Sequence, residues 1–270
     1  MKLGFVQMDC RFGEVEKNLE KAIGFILRKK SDLWVLPELF NTGYQFVSKK
    51  EVAELSEAVP GGPTTQRLIA IAKERKTTIV AGLVERSGRD LYNASVLVGP
   101  KGLIGVYRKI HLFYEEKQWF TPGNLPFSVY PVGYKSDKGG TLKARIGMMI
   151  CFDWIFPESM RTLALLGSDI ICHPANLVLP YCPDAMVTRS LENNVYAVTA
   201  NRVGVEFRSK ESLTYIGRSE VVDPGGKIIF RASDKKEEAC VVSIDPKRAR
   251  NKRLNRFNDI LRDRREGFYI

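Results

Sequence analysis

The sequence predicts an α/β protein built as a four-layer αββα sandwich, and three observations support that expectation. Segments with strand periodicity alternate along the chain with segments carrying a helical apolar stripe. One frame occurs twice: Ser31-Asp-Leu-Trp-Val-Leu-Pro37 and Ser168-Asp-Ile-Ile-Cys-His-Pro174 share S-D-aliphatic-x-x-x-P, each behind an amphipathic helix. Glycine-bearing turns at 99–102 and 223–226 follow the two copies at similar points. Two like halves, each one sheet covered by helices, would bury their open faces by packing sheet on sheet.

The elements follow in order. Met1–Met8 alternates apolar positions as a strand does, and Leu19, Ala22, Ile23, Ile26 and Leu27 stripe one face of a helix. A strand is expected at Asp32–Leu36, a helix near Thr65–Arg75, and strands at Thr77–Val84 and Leu91–Val98. The turn Gly99-Pro-Lys-Gly102 joins the last of these to Leu103–Arg108. A strand at Ala144–Ile150, a helix at Pro157–Leu166, a strand at Asp169–Cys172 and a helix near Pro183–Asn193 come next. Tyr196–Arg202, Thr214–Val222 and Lys227–Arg231 read as strands, the last two joined by Asp223-Pro-Gly-Gly226, and Cys240–Ile244 as one more.

Composition narrows the class. At 270 residues, 44% apolar and 27% charged, with no Pro/Gly/Ser-rich linker, the chain reads as one globular domain. No apolar run approaches the ~18 residues needed to cross a bilayer. Gln7, Asp9 and Arg11 interrupt the opening residues where a signal peptide would need an apolar core. Cys10, Cys151, Cys172, Cys182 and Cys240 are odd in number and scattered, so they are expected as reduced thiols in a cytoplasm. The unusual figure is a net charge of +11, and residues 247–266 hold nine basic and three acidic side chains of it, a net +6. Such a segment reads either as an anion- or RNA-binding arm or as a tail packing on the body or a neighbouring subunit. Leu254, Phe257, Ile260 and Leu261 recur at intervals of three and four, which suggests one apolar face and the packing role, with no nucleic-acid or membrane partner.

Candidate chemistry sits at strand ends. Cys151 lies at a strand-to-helix elbow, where α/β proteins place their ligands and where the following N–H groups, starting with Phe152, can receive an oxyanion. A free cysteine is also a common buried apolar residue. A thiol nucleophile needs a base. His111 and His173 are the only histidines, and no spacing supports a Cys–His–Asn arrangement. Glu38, just after Pro37, and Lys109, at the end of Leu103–Arg108, reach positions similar to that of Cys151. A carboxylate in a dry pocket rises toward a general base's working range, while a neighbouring lysine favours its ionised form.

At these residues the chain resembles a known family. Leu36-Pro-Glu-Leu-Phe40, Tyr107-Arg-Lys-Ile-His111 and Gly147-Met-Met-Ile-Cys-Phe-Asp153 are similar, in order and spacing, to the three signature motifs of the nitrilase superfamily of carbon–nitrogen hydrolases. Asn41-Thr-Gly-Tyr44, Thr121-Pro-Gly123, Phe156-Pro-Glu158, Pro174-Ala-Asn176, the stretch 189–202 and the closing 263–269 extend the likeness over the whole chain. The resemblance implies the αββα fold, with 1–246 as a single carbon–nitrogen hydrolase domain and 247–270 as a tail crossing onto a partner subunit in a homodimer or larger assembly. It implies a Glu-Lys-Cys triad: Glu38 as general base, Cys151 as the nucleophile that carries a thioester, and Lys109 with the Phe152 N–H as oxyanion donors. Glu116, or the adjacent Glu115, would be the second glutamate, and Tyr44 and Asn176 would line the pocket. It implies no metal and no cofactor, and Cys172, His173 and Cys182 have no recognised zinc spacing.

The expected reaction is hydrolysis of small linear amides or N-carbamoyl amines with release of ammonia. Phe152-Asp153 follows the cysteine where true nitrilases usually carry Trp-Glu, which favours an amide or carbamoyl substrate over the alternative, a nitrile. Trp119, Phe120, Trp154, Tyr181 and Tyr196 would narrow the pocket or pack the core. From a different class, a catalytically silent scaffold or anion-binding protein would use the basic tail, and the intact Glu38, Lys109 and Cys151 argue against it.

Overall fold

Side-chain alternation along the first strand separates two cores. In the computed structural model, which describes residues 1–136 and 139–269, β1 (Lys2–Asp9) sends Leu3 and Phe5 to one core and Val6 and Met8 to another. α1 (Val15–Arg28) leads to β2 (Leu33–Val35), which divides Leu33 and Val35 from Trp34 in the same way. Then come α2 (Lys49–Glu54), α3 (Pro63–Arg75), β3 (Thr78–Ser87), β4 (Asp90–Gly99), β5 (Gly102–Arg108) and the single turn α4 (Glu116–Trp119). β1, β2 and β3 pair in parallel, and β4 and β5 return antiparallel.

The second half repeats the plan. β6 (Val129–Lys135) pairs antiparallel with β7 (Thr141–Met148), and a 3-10 turn at Cys151–Ile155 leads into α5 (Pro157–Leu165). β8 (Ile170–Pro174), α6 (Cys182–Asn193) and β9 (Tyr196–Ala200) follow, with β7, β8 and β9 parallel. The chain ends with β10 (Arg202–Val203), β11 (Val205–Phe207), β12 (Ser212–Thr214), β13 (Glu220–Val222), β14 (Ile228–Arg231) and β15 (Glu238–Ser243). The first sheet runs β10-β1-β2-β3-β4-β5 with β15 also on β1, and the second runs β14-β13-β9-β8-β7-β6. The two S-D frames occupy equivalent places: each supplies the middle strand of a parallel trio, β2 and β8.

Four layers result. Leu3, Phe5, Leu33, Val35 and Val80 of the first sheet share a core with Ile146, Met148, Ile170, Cys172 and Val198 of the second. Leu19, Ile23 and Ile26 of α1 and Leu68 and Ile71 of α3 cover the first sheet's other face, while Met160, Leu163 and Met186 of α5 and α6 pack on the second sheet. Burial of this apolar surface supplies most of the driving force. Among the described residues, no helix is long and apolar enough to cross a membrane.

Three expectations need correction. Thr214–Val222 is not one strand: β12 pairs with β11, β13 pairs with β9, and between them Gly217 and Arg218 adopt left-handed φ of 59° and 57°, which ends the extended run. Tyr196–Arg202 divides at Asn201, after which β10 leaves the second sheet and pairs with β1 in the first. The spacing of Leu254, Phe257, Ile260 and Leu261 does not produce an apolar face, and Leu254 and Phe257 are 71% and 75% exposed. Asn255 accepts the N–H groups of Phe257 and Asn258, and Asp259 those of Leu261 and Arg262, so side chains take the donors a helix would use. The start of the basic segment lies on the body. Arg250 binds the Asp169 carboxylate at 2.9 Å, Arg248 binds Asp223 at 3.1 Å, and Lys252 Nζ donates to the carbonyls of Asn193 and Asn194.

Candidate active site

Three strand ends deliver Glu38, Lys109 and Cys151 to one buried spot. Beyond β2, the chain at Pro37 and Glu38 lies directly on β3, with Gly82 N–H donating to Pro37 O and Phe40 N–H to Gly82 O. A Cβ at Gly82 would stand 2.5 Å from Glu38 Cα, so only glycine permits this approach. Lys109 follows β5 and is fixed by its N–H on Asn93 O, while its own carbonyl accepts from Gly123 N–H. Cys151 opens the 3-10 turn with φ of 41°, a left-handed conformation that a side chain adopts only where its surroundings enforce it.

Those surroundings are two side chains that the sequence did not single out as positioning groups. Asp153, fully buried, accepts from Ile150 N–H at 2.8 Å, from the Tyr107 hydroxyl at 2.7 Å and from His111 Nδ1–H at 2.7 Å. His173 Nε2–H donates to Cys151 O at 2.9 Å, and its Nδ1 lies 3.0 Å from the Thr199 hydroxyl. Burial lowers the His173 pKa, which keeps the imidazole neutral. Both nitrogens of His173 are occupied, and His111 is committed to Asp153 and stacked on Phe156 at 3.8 Å. Neither histidine is positioned as the thiol's base. Asp153 could have been found inside the cysteine motif; His173 carried no signal beyond its place before Pro174.

The charges converge on Lys109. Its Nζ lies 2.7 Å from Glu38 Oε1 and 2.7 Å from Glu116 Oε1. Asn93 Nδ2 also donates to Glu38 Oε1, and the Tyr44 hydroxyl to Glu116 Oε1, each at 2.7 Å. Exposure is 0% for Glu38, 1% for Lys109, 4% for Glu116 and 6% for Cys151. Glu116 rather than the half-buried Glu115 is therefore the second glutamate of the cluster. Asn176 donates to the backbone carbonyl of Glu38 at 2.9 Å and so holds the Glu38 segment. Glu38 Oε2 is buried with no hydrogen-bond partner among the described residues. Phe152 follows Cys151 in the 3-10 turn, and the first N–H groups of a helix have no acceptor inside it. Of the aromatics considered for the pocket, Phe120 and Tyr196 are core residues and Tyr181 is exposed.

Burial, followed by the Glu38 charge, pushes the Cys151 thiol well above its ordinary pKa, against the opposing pull of Lys109. The thiol is therefore neutral at rest. Burial works against the Lys109 ammonium, but Glu116 and Glu38 outweigh it and raise the lysine's pKa. Glu116 is itself raised, by burial first, with Lys109 opposing and Glu38 adding to the rise. The arrangement can accept a proton, form a thiolate beside an ammonium, and hold developing negative charge. All five cysteines are buried free thiols, and no cluster among the described residues has the make-up of a metal site.

Known proteins share this chain's pattern. The carbon–nitrogen hydrolase family profile matches residues 2–254. A nitrilase of Pyrococcus abyssi (strain GE5 / Orsay) is 48% identical, across 100% of this chain and 99% of its own. An (R)-stereoselective amidase of Pseudomonas sp. is 34% identical, across 98% of this chain and 92% of its own. Among solved structures, an amidase from Nesterenkonia sp. shares the fold with a TM-score of 0.77 at 24% identity, over 99% of this chain and 94% of that one. The chain belongs to the carbon–nitrogen hydrolase family, within the nitrilase superfamily, and is a hydrolase of carbon–nitrogen bonds other than peptide bonds.

Proposed function

We propose that this carbon–nitrogen hydrolase cleaves small linear amides or N-carbamoyl amines through a thioester on Cys151 and releases ammonia. The observation that carries the reading is the Lys109 ammonium held between Glu38 and Glu116 beside a buried thiol. Glu38 takes the thiol proton as sulfur attacks the carbonyl carbon. The oxyanion that forms accepts from Lys109 Nζ and the Phe152 N–H. Glu38 passes its proton to the leaving nitrogen, the C–N bond breaks, and ammonia departs from the thioester. Water then enters, Glu38 takes its proton, and hydroxide attacks the thioester carbon. Collapse of the second tetrahedral adduct breaks the C–S bond and yields the acid, and the proton returns from Glu38 to sulfur.

Two findings favour an amide-type substrate. Glu38 Oε2 is an acceptor without a donor, and an amide N–H can fill that role whereas a nitrile nitrogen cannot. Relatives also include an (R)-stereoselective amidase and, at 29% identity, an N-carbamoylputrescine amidase of Solanum lycopersicum. The second reading, a nitrile substrate, is favoured by the 48% identity to a protein named nitrilase. Ammonia release from matched panels of amides, carbamoyl amines and nitriles decides between them: turnover confined to nitriles overturns the amide reading. Cys151→Ala should abolish activity, and intact-mass analysis should place an acyl adduct on Cys151 alone.

Two further elements belong to this reading. Leu254, Phe257, Phe268 and Tyr269 are exposed apolar residues on the C-terminal segment, and they would clasp a second copy of the chain. Five buried free thiols fit a reducing cytoplasm.

A further inference from the structure

Glu206 lies outside the reacting groups, yet its hydrogen bonds lead back to them. It sits on β11, in the hairpin that follows the crossing from second sheet to first, and its carboxylate is buried. Four groups donate to it: Arg202 Nη1 at 2.6 Å, Gln45 N–H at 2.8 Å, the Tyr215 hydroxyl at 2.9 Å, and Tyr44 N–H at 3.2 Å to either oxygen. The approach is close. Gly43 has φ of 81°, and a Cβ there would come 2.7 Å from Glu206 Oε1.

Two of those donors are consecutive backbone N–H groups of the Tyr44 loop, so the carboxylate fixes where that loop runs. The same hairpin grips the Gln45 side chain, which donates to Ser209 Oγ at 2.8 Å and to Glu211 O at 2.7 Å and accepts from Arg208 N–H at 2.8 Å. At its far end, Tyr44 places its hydroxyl on Glu116 Oε1, the oxygen that also receives Lys109 Nζ. Arg202 in turn is buried, with its guanidinium 4.0 Å over the Tyr215 ring and bonded to Cys10 O at 2.6 Å and Asp9 Oδ1 at 3.0 Å. Asp9 is 39% exposed and a weaker counter-charge than the buried Glu206. A buried ion pair is often no more stable than an apolar replacement of the same shape. Here the pair supplies a fully bonded carboxylate at one defined position, which an apolar replacement could not do.

We propose that Glu206 is a positioning residue for catalysis: through the Tyr44 backbone it sets the Tyr44 hydroxyl against Glu116, and so fixes Lys109 where the oxyanion forms. The inference rests on the proposed roles of Cys151 and Lys109. Misplacing a catalytic group by about 1 Å costs on the order of 100-fold in rate. Glu206→Gln should therefore lower kcat by roughly 10- to 100-fold with KM moving far less.

The test is a double-mutant cycle on kcat and KM with Glu206→Gln, Tyr44→Phe and both together, each with a melting temperature. Because both residues act through one hydroxyl, the double variant should be no slower than the worse single variant. Multiplying effects, or a lowered melting temperature with parental kcat, overturn the proposal. Should Glu206→Gln fail to fold, Tyr215→Phe removes one bond to the same carboxylate. Its smaller loss in kcat should vanish in the Tyr44→Phe background, and persistence there overturns the proposal equally. Cys151→Ala separates the two levels. Activity in that variant sinks the catalytic reading, whereas an inactive Cys151→Ala with multiplying Glu206 and Tyr44 effects sinks the positioning role alone.

Discussion

Replacing Lys109 by methionine tests the charge arrangement at its centre. The side chain keeps most of its length and loses the ammonium that lies 2.7 Å from each of two buried carboxylates. On the proposed mechanism one oxyanion donor is lost, which by itself costs about 100- to 1,000-fold in kcat. Removing one partner of a buried ion pair costs about 3–5 kcal/mol of stability, because the remaining charge stays buried and uncompensated. In this site the cost depends on pH. Glu116 is already raised by burial, and Lys109 is the strongest influence holding it down. Without the lysine, its folded-state pKa rises further above the unfolded value. A carboxyl raised in this way contributes stability that is fully present below its unfolded pKa and is lost as pH rises through its folded pKa. Lys109→Met should therefore be destabilised more at pH 8 than at pH 5, where Glu116 can take up a proton. Urea unfolding of parent and variant at both pH values measures the difference, and ammonia release measures kcat. Equal penalties at the two pH values, or activity within tenfold of the parent, would refute the reasoning.

Gly82→Ala should displace Glu38, because the new Cβ meets backbone at 2.5 Å; a loss of about 1–3 kcal/mol is expected with a lowered kcat, and a parental kcat would show that this approach does not place the proposed base. Burial pushes the Glu220 carboxyl up to about 7 against the opposing influence of Arg231. Its contribution is thus present below the ordinary carboxylate range and is lost as pH rises through about 7, at most roughly 3 kcal/mol. Glu220→Gln should remove that part of the decline in stability between pH 5 and 8; denaturation midpoints that fall as steeply in the variant reject the assignment. Truncation after Lys252 keeps the contacts of Arg248, Arg250 and Lys252 with the body but deletes the exposed apolar tail. Light scattering should show a smaller assembly than the full chain, and an unchanged mass rejects the clasp.

What could be read in the sequence is what local pattern encodes. The sandwich was legible because two S-D frames mark equivalent middle strands, and because strands such as β1 alternate between two cores. Glu38, Lys109 and Cys151 were legible because each ends a strand or stands just beyond one. Other features depend on tertiary context. Nothing in the periodicity points to β6, an edge strand interrupted by Pro131, or to the one-turn α4 that carries Glu116. The contact between Glu206 and Tyr44 joins positions 162 residues apart, and no spacing rule reaches that far. The tail misled for the opposite reason: an apolar spacing of three and four was present, but asparagine and aspartate side chains bind the N–H groups a helix would need.

The electrostatics favour a buried carboxylate, Glu38, as the base proposed for Cys151. Burial holds the Cys151 thiol neutral, and Glu38, Glu116 and the Lys109 ammonium are buried with it. Losing the thiol proton to solvent would add one negative charge to that volume, and burial makes that costly. Passing the proton to Glu38 leaves the total charge unchanged. The new charge on sulfur appears as the charge on the carboxylate disappears, both beside the same ammonium. The burial that raises the thiol's pKa therefore does not oppose the step; it only requires the acceptor to be buried with the thiol. The same conservation holds when Glu38 returns the proton to the leaving nitrogen, so each transfer on the proposed path moves charge within the cluster and none adds to it.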